Sequence, residues 1–463
     1  MQAPPQETDN QEHTFAPDKL SHNNSVLYFL RICGAIASGI AAGILGLQSI
    51  NGGIFYLLSY ILLSALTVLK TGSKTDNYFP ISQLSIFWNG LTAGALVVTM
   101  GTRYNFQQPT TDRRTADMAD QQLIKTPLTE LFGIKHPVML AGMNVAAGPE
   151  LAAAVSDAGG LGVIGGVGYT PKFLQVQIDH LKKSLKNKNA PFGVDLLLPQ
   201  VGGNARKTNK DYTQGQLPEL IDVIIKSGAK LFVSAVGVPP KDVVDKLHAA
   251  GIPVMNMIGH PKHVQKALDA GCDIICAQGS EGGGHTGNVP TSILIPKVVE
   301  LCRGKKSPLT GKPVEVVAAG GIYNGQGLAS ALAVGASAVW VGTRFVCAKE
   351  AGAPPAHQKA VLEADYDGTV RTLIYTGRPL RVRATPFVLD WENNKQDEIK
   401  DSTAKGIVPV PLHEAVELHK RGWLMGSVAA VIEDVQPAKQ IVDEMVGDAH
   451  RLLKATHSLI AKL

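Results

Sequence analysis

Long apolar stretches with few polar positions dominate the first quarter of the chain. The first runs from Val26 to Ile50 with a single charge, Arg31, and two more, at residues 53–69 and 84–100, contain no charge. A helix needs about 20 predominantly apolar residues to cross a bilayer. The pattern predicts a three-span membrane domain at residues 26–106. The alternative, buried helices of a soluble core, is disfavoured because three such runs follow one another so closely.

Polar segments flank this predicted domain. Residues 1–25 are rich in Asn, Gln, Glu and Pro, which is the composition of a disordered tail. No basic segment opens them, as one would open a cleavable signal peptide. Residues 107–122 are polar and charged and are interpreted as a linker. The remaining domain, at residues 123–463, has a different pattern.

From residue 137 onward, short apolar runs alternate with helical patterns. Eight runs are predicted as strands, at residues 137–141, 161–164, 192–198, 231–236, 253–258, 273–277, 314–318 and 338–341. The helices that follow them are predicted at residues 149–158, 171–185, 217–226, 240–249, 261–270, 291–301, 325–333 and 355–363. The runs show no polar alternation, as expected of strands buried on both faces. Eight βα units predict an α/β fold, a (β/α)8 TIM barrel, since the alternative, a doubly wound open sheet, rarely reaches eight units.

The remainder of the chain is predicted to form an appended C-terminal subdomain. Residues 369–388 contain several β-branched residues, which indicate strands. Helical patterns follow near residues 413–421 and 443–453.

Charge and cysteine content narrow the class of function. The net charge of +5 is small and scattered, so it gives no indication of a nucleic-acid partner. The five cysteines form no CxxC pair and are odd in number, so neither a disulfide framework nor a metal site is expected. We expect a reducing compartment for the barrel.

Glycines gather in the loops that follow predicted strands, where TIM barrels build their active sites. They lie at residues 141–144, 278–287, 319–322 and 342–344, after the first, sixth, seventh and eighth strands. The loops after the last two strands commonly bind phosphate, because glycine lets backbone N–H groups approach an anion. The hydroxyl of Thr343 can add a hydrogen bond. One such loop alone is usually a tight turn, but two at these positions predict a phosphate-bearing cofactor.

One histidine of the 13 stands out by its position. His285 follows the run Gly282–Gly284, which allows the chain to pass close to a flat ligand and presents an imidazole at the barrel mouth. An imidazole titrates near neutrality and can act as a general base or bind an anion. We therefore take His285 as the candidate catalytic residue. Glu281, in the same loop, is left with two interpretations, a loop-stabilising carboxylate or a further functional group.

These segments together resemble the nitronate monooxygenase family, also called 2-nitropropane dioxygenases, over about residues 123–383. The motif QGSEGGGHTG at residues 278–287 is specific to that family, whereas AAGGI at residues 318–322 and WVGTRF at residues 340–345 recur in other FMN-binding barrels. The resemblance implies FMN as the cofactor and His285 as the catalytic residue. The residues implied for FMN binding are Ala141, Gly142, Met143, Asp195, Gln278, Gly283, Gly284, Gly320, Gly321, Val341, Gly342 and Thr343.

The resemblance also implies an activity. The family oxidises alkyl nitronates with dioxygen to a carbonyl compound and nitrite, and His285 would position the nitronate or take the α-proton of a neutral nitroalkane. Two positions depart from the family, Gly282 where members often carry Ala and Asp195 where they often carry Asn. A carboxylate beside a flavin would disfavour its anionic reduced form. The second hypothesis is a flavin-dependent enoyl-thioester reductase, which shares the barrel and consumes a reduced nicotinamide cofactor.

The N-terminal domain resembles subunit 6 of the endoplasmic-reticulum membrane protein complex over residues 23–106. Segments such as SGIAAGILGL at residues 38–47 and GIFYLL at residues 53–58 carry the resemblance. It implies a scaffold role in a membrane insertase, other subunits of that complex as partners, and the endoplasmic-reticulum membrane as the location. A third hypothesis is therefore a complex subunit to which the barrel is incidental, joined by gene fusion or by a mis-joined gene model. Positive charges around the spans are nearly balanced, so only the free cysteines favour a barrel on the cytosolic side.

Overall fold

The computed structural model describes residues 122–411, 417 and 419–459. The predicted tail, the membrane domain and the linker up to residue 121 lie outside those residues, as does most of the helix predicted near residues 413–421. Within the described ranges, no helix combines the length and apolar character that a membrane crossing requires. Every element named below belongs to the compact unit Arg113–Leu463.

The described residues contain the eight predicted barrel strands, the eight predicted barrel helices and further elements of both kinds. The strands are β1 (Val138–Leu140), β2 (Gly162–Gly165), β3 (Phe192–Leu197), β4 (Leu231–Ala235), β5 (Val254–Ile258), β6 (Ile274–Gln278), β7 (Gly284–His285), β8 (Glu315–Ala319), β9 (Ala338–Val341), β10 (Thr369–Thr372) and β11 (Leu380–Arg383). The helices are α1 (Pro127–Phe132), α2 (Pro149–Asp157), α3 (Pro171–Ser184), α4 (Leu217–Lys226), α5 (Lys241–Ala249), α6 (Val264–Asp269), α7 (Thr291–Cys302), α8 (Gly325–Ala333), α9 (Thr343–Val346), α10 (Pro355–Leu362), α11 (Pro386–Asn394), α12 (Gln396–Ala404) and α13 (Ala438–His457). Predicted barrel bounds agree with these to within one residue, except that residues 261–263 of the predicted helix at 261–270 form a 3₁₀ turn.

Eight of the strands form one closed parallel barrel. Their order is β1-β9-β8-β6-β5-β4-β3-β2, and all neighbours pair in parallel. The ring is completed between β1 and the start of β2, where Leu140 N–H donates to the carbonyl oxygen of Leu161 and Leu161 N–H to that of Val138, both at 2.9 Å. The prediction of a TIM barrel is confirmed.

Local sequence signals mark where three of the helices begin. Threonines precede α1, α3 and α11, and each hydroxyl accepts a backbone N–H from the first turn, as Thr170 does from Phe173 at 3.3 Å. Each of these helices then begins at a proline, whose missing N–H costs nothing in the first turn. These signals fix the residue at which each of the three helices begins.

The barrel interior is a packed apolar layer. Met139, Met255, Cys276 and other inward side chains fill it, and they are fully buried. Helix α1 covers the end where the strands begin, and its Leu128 belongs to the same cluster with no exposed surface. Burying one such side chain contributes about 1.5–3 kcal/mol. With that end filled, only the carboxyl ends of the strands remain open to a ligand.

The appended subdomain meets the barrel through a second, antiparallel sheet. Strands β10 and β11 form a hairpin, and β11 pairs with β7, so that Leu380 lies opposite His285. The strand prediction for residues 369–388 is confirmed in part, because α11 begins at Pro386. Helices α11 and α12 are not predicted by the sequence pattern. Helix α13 is longer than the predicted 443–453 and packs closely on α8, where a Cβ at Gly325 would lie 2.7 Å from the backbone nitrogen of Ala449.

Candidate active site

A cavity of about 1650 Å³ opens at the carboxyl ends of the barrel strands. Twelve of the thirteen predicted site residues line it: Ala141, Gly142, Met143, Asp195, Gln278, Gly283, Gly284, His285, Gly320, Gly321, Gly342 and Thr343. Val341 does not line the cavity, since it is fully buried in β9 and its carbonyl oxygen accepts the N–H of Ala141 at 2.9 Å. The fold thus brings the predicted residues together with this one exception.

The loops after β8 and β9 offer backbone and a hydroxyl to the cavity. Gly320 and Gly321 both adopt positive φ, +87° and +74°, and a Cβ at Gly320 would lie 2.8 Å from the carbonyl oxygen of Gly279. No side chain can therefore occupy this turn. Thr343 Oγ1 accepts the N–H of Gly426 at 2.9 Å, which leaves its own hydroxyl hydrogen available to a ligand. This side of the cavity suits a phosphate group.

The loop that carries His285 is held from two directions. Strand β7 pairs with β11 on one side. On the other, Gln278 at the end of β6 donates from its side-chain nitrogen to the carbonyl oxygen of His285 at 3.0 Å. A Cβ at Gly282 would lie 2.5 Å from that same nitrogen, so an alanine would displace Gln278. Gly282, which departs from the family pattern, therefore leaves the space that the Gln278 side chain occupies.

His285 is neutral at physiological pH. Burial, followed by the positive charge of Arg378, lowers its pKa to about 4. Its Nε2 lies 3.1 Å from Thr376 Oγ1, and that hydroxyl donates to the carbonyl oxygen of Arg378 at 3.2 Å. Because the hydroxyl hydrogen is already used, Nε2 carries the imidazole proton and donates to Oγ1. Nδ1 is left with its lone pair, the arrangement of a base or a hydrogen-bond acceptor.

Glu281 stabilises the loop rather than facing a substrate. Its carboxylate accepts the backbone N–H of Thr291 at 3.0 Å and the hydroxyl of Thr291 at 2.8 Å. Ser280 donates to the same carboxylate at 3.2 Å. A negative charge at the first residue of α7 also interacts favourably with the helix dipole. Of the two interpretations left open by the sequence, the loop-stabilising one agrees with these contacts.

Asp195 is a buried acid without partners. It lies on β3 with 3% of its surface exposed, and in the described residues its buried Oδ1 has no hydrogen-bond partner. Its carboxyl group packs directly against the backbone of Gly142, in the loop after β1. Burial raises the pKa of Asp195 to about 8. Near neutral pH, desolvation therefore keeps most of Asp195 protonated, which removes the negative charge that would disfavour an anionic reduced flavin.

Arg378 is a site residue that the sequence pattern does not indicate. It lies in the turn between β10 and β11 and lines the cavity. Its guanidinium donates to Asn209 Oδ1 and to the carbonyl oxygen of Val236, both at 3.0 Å, and no carboxylate in the described ranges pairs with it. Thr376, in the same turn, is a second site residue that the sequence pattern does not indicate. Only the pairing of β11 with β7 brings this turn to the cavity, and no local signal distinguishes these residues.

The fold and site define a class. A closed parallel barrel with glycine loops after its last two strands and a histidine at the mouth is the framework of a flavin-dependent oxidoreductase, and the chain is one. More narrowly, residues 125–448 match the profile of the family described as nitronate monooxygenase, and the chain belongs to that family. Residues 26–100 match a second profile, described as EMC6.

Relatives of more than one activity are similar to this chain. A protein of Rhodococcus jostii named (3aS,4S,5R,7aS)-5-hydroxy-7a-methyl-1-oxo-octahydro-1H-indene-4-carboxyl-CoA dehydrogenase is 36% identical over 378 residues, which cover 73% of this chain and 99% of the relative. A probable nitronate monooxygenase of Staphylococcus saprophyticus is 30% identical over 313 residues, 60% of this chain and 83% of the relative. The solved structure of FabK from Thermotoga maritima matches with a TM-score of 0.59 and 30% identity, covering 73% of this chain and 100% of that one.

Proposed function

We propose that the glycine-lined side of the cavity binds FMN. The turn at Gly320 and Gly321 and the free hydroxyl hydrogen of Thr343 would hold the phosphate. The flat ring would lie against the loop Ala141–Met143 and against Gly284, where an added Cβ would meet no atom within 4 Å. Bound there, FMN supplies the group that accepts electrons from the substrate and passes them to dioxygen.

The substrate that we propose is an alkyl nitronate, oxidised with dioxygen to a carbonyl compound and nitrite. The observation that carries this proposal is the placement of a neutral His285 and an unpaired Arg378 on one wall. Arg378 provides the positive charge that an anionic nitronate requires. When a neutral nitroalkane enters, Nδ1 of His285 takes its α-proton, while Thr376 holds the protonated Nε2 in place.

A second candidate, flavin-dependent reduction of an enoyl thioester, is favoured by the size of the cavity. At about 1650 Å³ it exceeds the ~300–1,000 Å³ of an ordinary ligand pocket, so a small nitronate would leave much of it unfilled beside the flavin. The relative named as a carboxyl-CoA dehydrogenase acts on a large thioester by its name, and it is 36% identical to this chain.

One experiment separates the two candidates. The full-length chain, purified in detergent, is examined for a flavin absorption spectrum and then assayed for oxygen uptake with propionate 3-nitronate. In parallel, NADPH consumption is followed with a short enoyl-CoA. Nitronate-dependent oxygen uptake without NADPH consumption supports the first candidate. The reverse result transfers the proposal to the reductase.

We also propose that residues 26–106 anchor the chain in the endoplasmic-reticulum membrane, with the barrel on the cytosolic side. The three apolar runs and the match of residues 26–100 to the EMC6 profile support this, and other subunits of that complex are the expected partners. Protease treatment of sealed microsomes should degrade the barrel without detergent. A barrel that is protected until detergent is added would contradict the cytosolic placement.

A further inference from the structure

Four cationic side chains line the cavity. Arg206 comes from the loop after β3, Lys262 and Lys266 from the segment after β5, and Arg378 from the β10–β11 turn. We call these four residues the cationic wall. In the order of strands around the barrel, β3 lies opposite β8. Lys262 and Lys266 follow β5, which is separated from β8 by β6. None of the four residues belongs to the turns after β8 and β9 that suit the flavin phosphate.

In the part of the chain that the structure describes, no carboxylate neutralises the positive charges of this wall. Three carboxylates also line the cavity, Asp195, Asp211 and Glu281. Asp211 accepts the N–H of Gly215 at 2.7 Å, Glu281 is held by Thr291, and Asp195 is buried without a partner. Within the described ranges, none of the three forms an ion pair with the cationic wall. The positive charges are left to a ligand.

The charges of the wall lie close enough to repel one another. Burial lowers the pKa of the Arg378 guanidinium, and the positive charge of Arg206 lowers it further. Burial also lowers the pKa of the neighbouring His263, as do the positive charges of Lys262 and Lys266. Like charges held together without a counter-charge cost free energy. An anionic ligand removes that cost when it binds.

We propose that the cationic wall binds the phosphate groups of a nucleotide-bearing ligand while the flavin occupies the glycine loops. The inference rests on the proposed flavin site only for the placement of the flavin. The cavity has room for both ligands. Arg378 offers a planar fork to a phosphate, and Lys262 and Lys266 offer point charges. Two sources share this chemistry, a coenzyme A thioester as substrate and a phosphorylated nicotinamide dinucleotide as co-substrate.

Calorimetric titration of the flavin-loaded, full-length chain tests the proposal. Coenzyme A and NADPH are titrated separately, into the parent chain and into the double variant Lys262→Gln/Lys266→Gln. Neither lysine belongs to the proposed reaction machinery, so nitronate-dependent oxygen uptake should not change in the double variant. Lys226→Gln, at the far end of α4 and outside the cavity, is the matched control.

We expect one of the two ligands to bind and the double variant to weaken it about 5-fold or more at low salt. Higher salt should lower the affinity of the parent chain towards that of the double variant, because exposed charges are screened. Binding of coenzyme A identifies a substrate, and binding of NADPH identifies a co-substrate. Failure of both ligands to bind the parent chain, equal binding by the double variant, or equal weakening by Lys226→Gln would overturn the proposal. Absence of nitronate turnover would contradict the first proposed substrate without touching this inference.

Discussion

The protonated state of Asp195 predicts an unusual pH dependence of folding stability. In the unfolded chain this carboxyl ionises around its ordinary value of 3.8, and in the folded chain at about 8. The folded protein therefore binds the proton more tightly. The stability that this contributes is fully present below pH 3.8 and is lost as the pH rises towards 8.

The magnitude follows from linkage. Between those two values, the free energy of unfolding falls by ~1.36 kcal/mol for each pH unit because of this one group. In Asp195→Asn this side chain cannot ionise, so the variant does not lose this part of the free energy of unfolding as the pH rises. The difference in unfolding free energy between the variant and the parent chain should therefore grow in the variant's favour by ~2.7 kcal/mol from pH 5 to pH 7.

Urea unfolding of the flavin-free, full-length chain at several pH values measures that difference. Comparing two full-length chains cancels the contribution of residues outside the barrel. Asp179→Asn, on the exposed face of α3, is the matched control and should follow the parent chain. A difference between Asp195→Asn and the parent that stays constant from pH 5 to pH 7 would refute the reasoning, because it would mean that Asp195 ionises normally in the folded protein.

Three further predictions concern the loop that carries the histidine. Since His285 has a pKa of about 4, kcat/KM should not fall between pH 8 and pH 5.5 through protonation of this base. A loss of activity on acidification through pH 6.5 would contradict a neutral imidazole. Thr376→Val removes the acceptor of Nε2–H and should lower kcat/KM about 5-fold with flavin content unchanged, whereas Thr403→Val on α12 should have no effect. Glu281→Gln weakens the contacts to α7 and should lower the free energy of unfolding by about 1–2 kcal/mol. Thermal or urea unfolding measures this loss. An equal loss in Glu300→Gln, at the exposed end of the same helix, would argue against a specific role of Glu281.

The barrel could be predicted because each of its strands is local in sequence. Both faces of every strand are buried, so each strand is a short apolar run bounded by helical patterns, and the run Phe192–Leu197 is recognisable without its partners. The glycine loops follow from the same count, because TIM barrels place their active sites after the strands. Burial, in contrast, is a property of the fold. The sequence shows Asp195 as one carboxylate among many, and its protonated state follows from its burial in the barrel wall.

The other half of the site depends on contacts that are distant in sequence. Strand β7 has two residues, too few to show an alternating pattern of apolar and polar positions. It forms because β11, about a hundred residues further along the chain, pairs with it. That pairing brings Thr376 and Arg378 to His285. Helix α12 was missed because its composition is largely polar and gives little apolar periodicity. Helix α11 was missed because it begins inside the stretch 369–388 that was interpreted as strands. The three membrane spans stay a prediction from the apolar runs.

The most direct test of the central claim is the reaction of His285→Ala. The claim is that this imidazole acts on the substrate beside a flavin that other residues hold. The account predicts that the variant keeps its flavin absorption spectrum and loses about 10²–10⁴-fold in kcat/KM for nitroalkane-dependent oxygen uptake. His180→Ala, in α3 on the outer ring, should behave as the parent chain. Loss of flavin from His285→Ala, or undiminished turnover with flavin retained, would contradict the account.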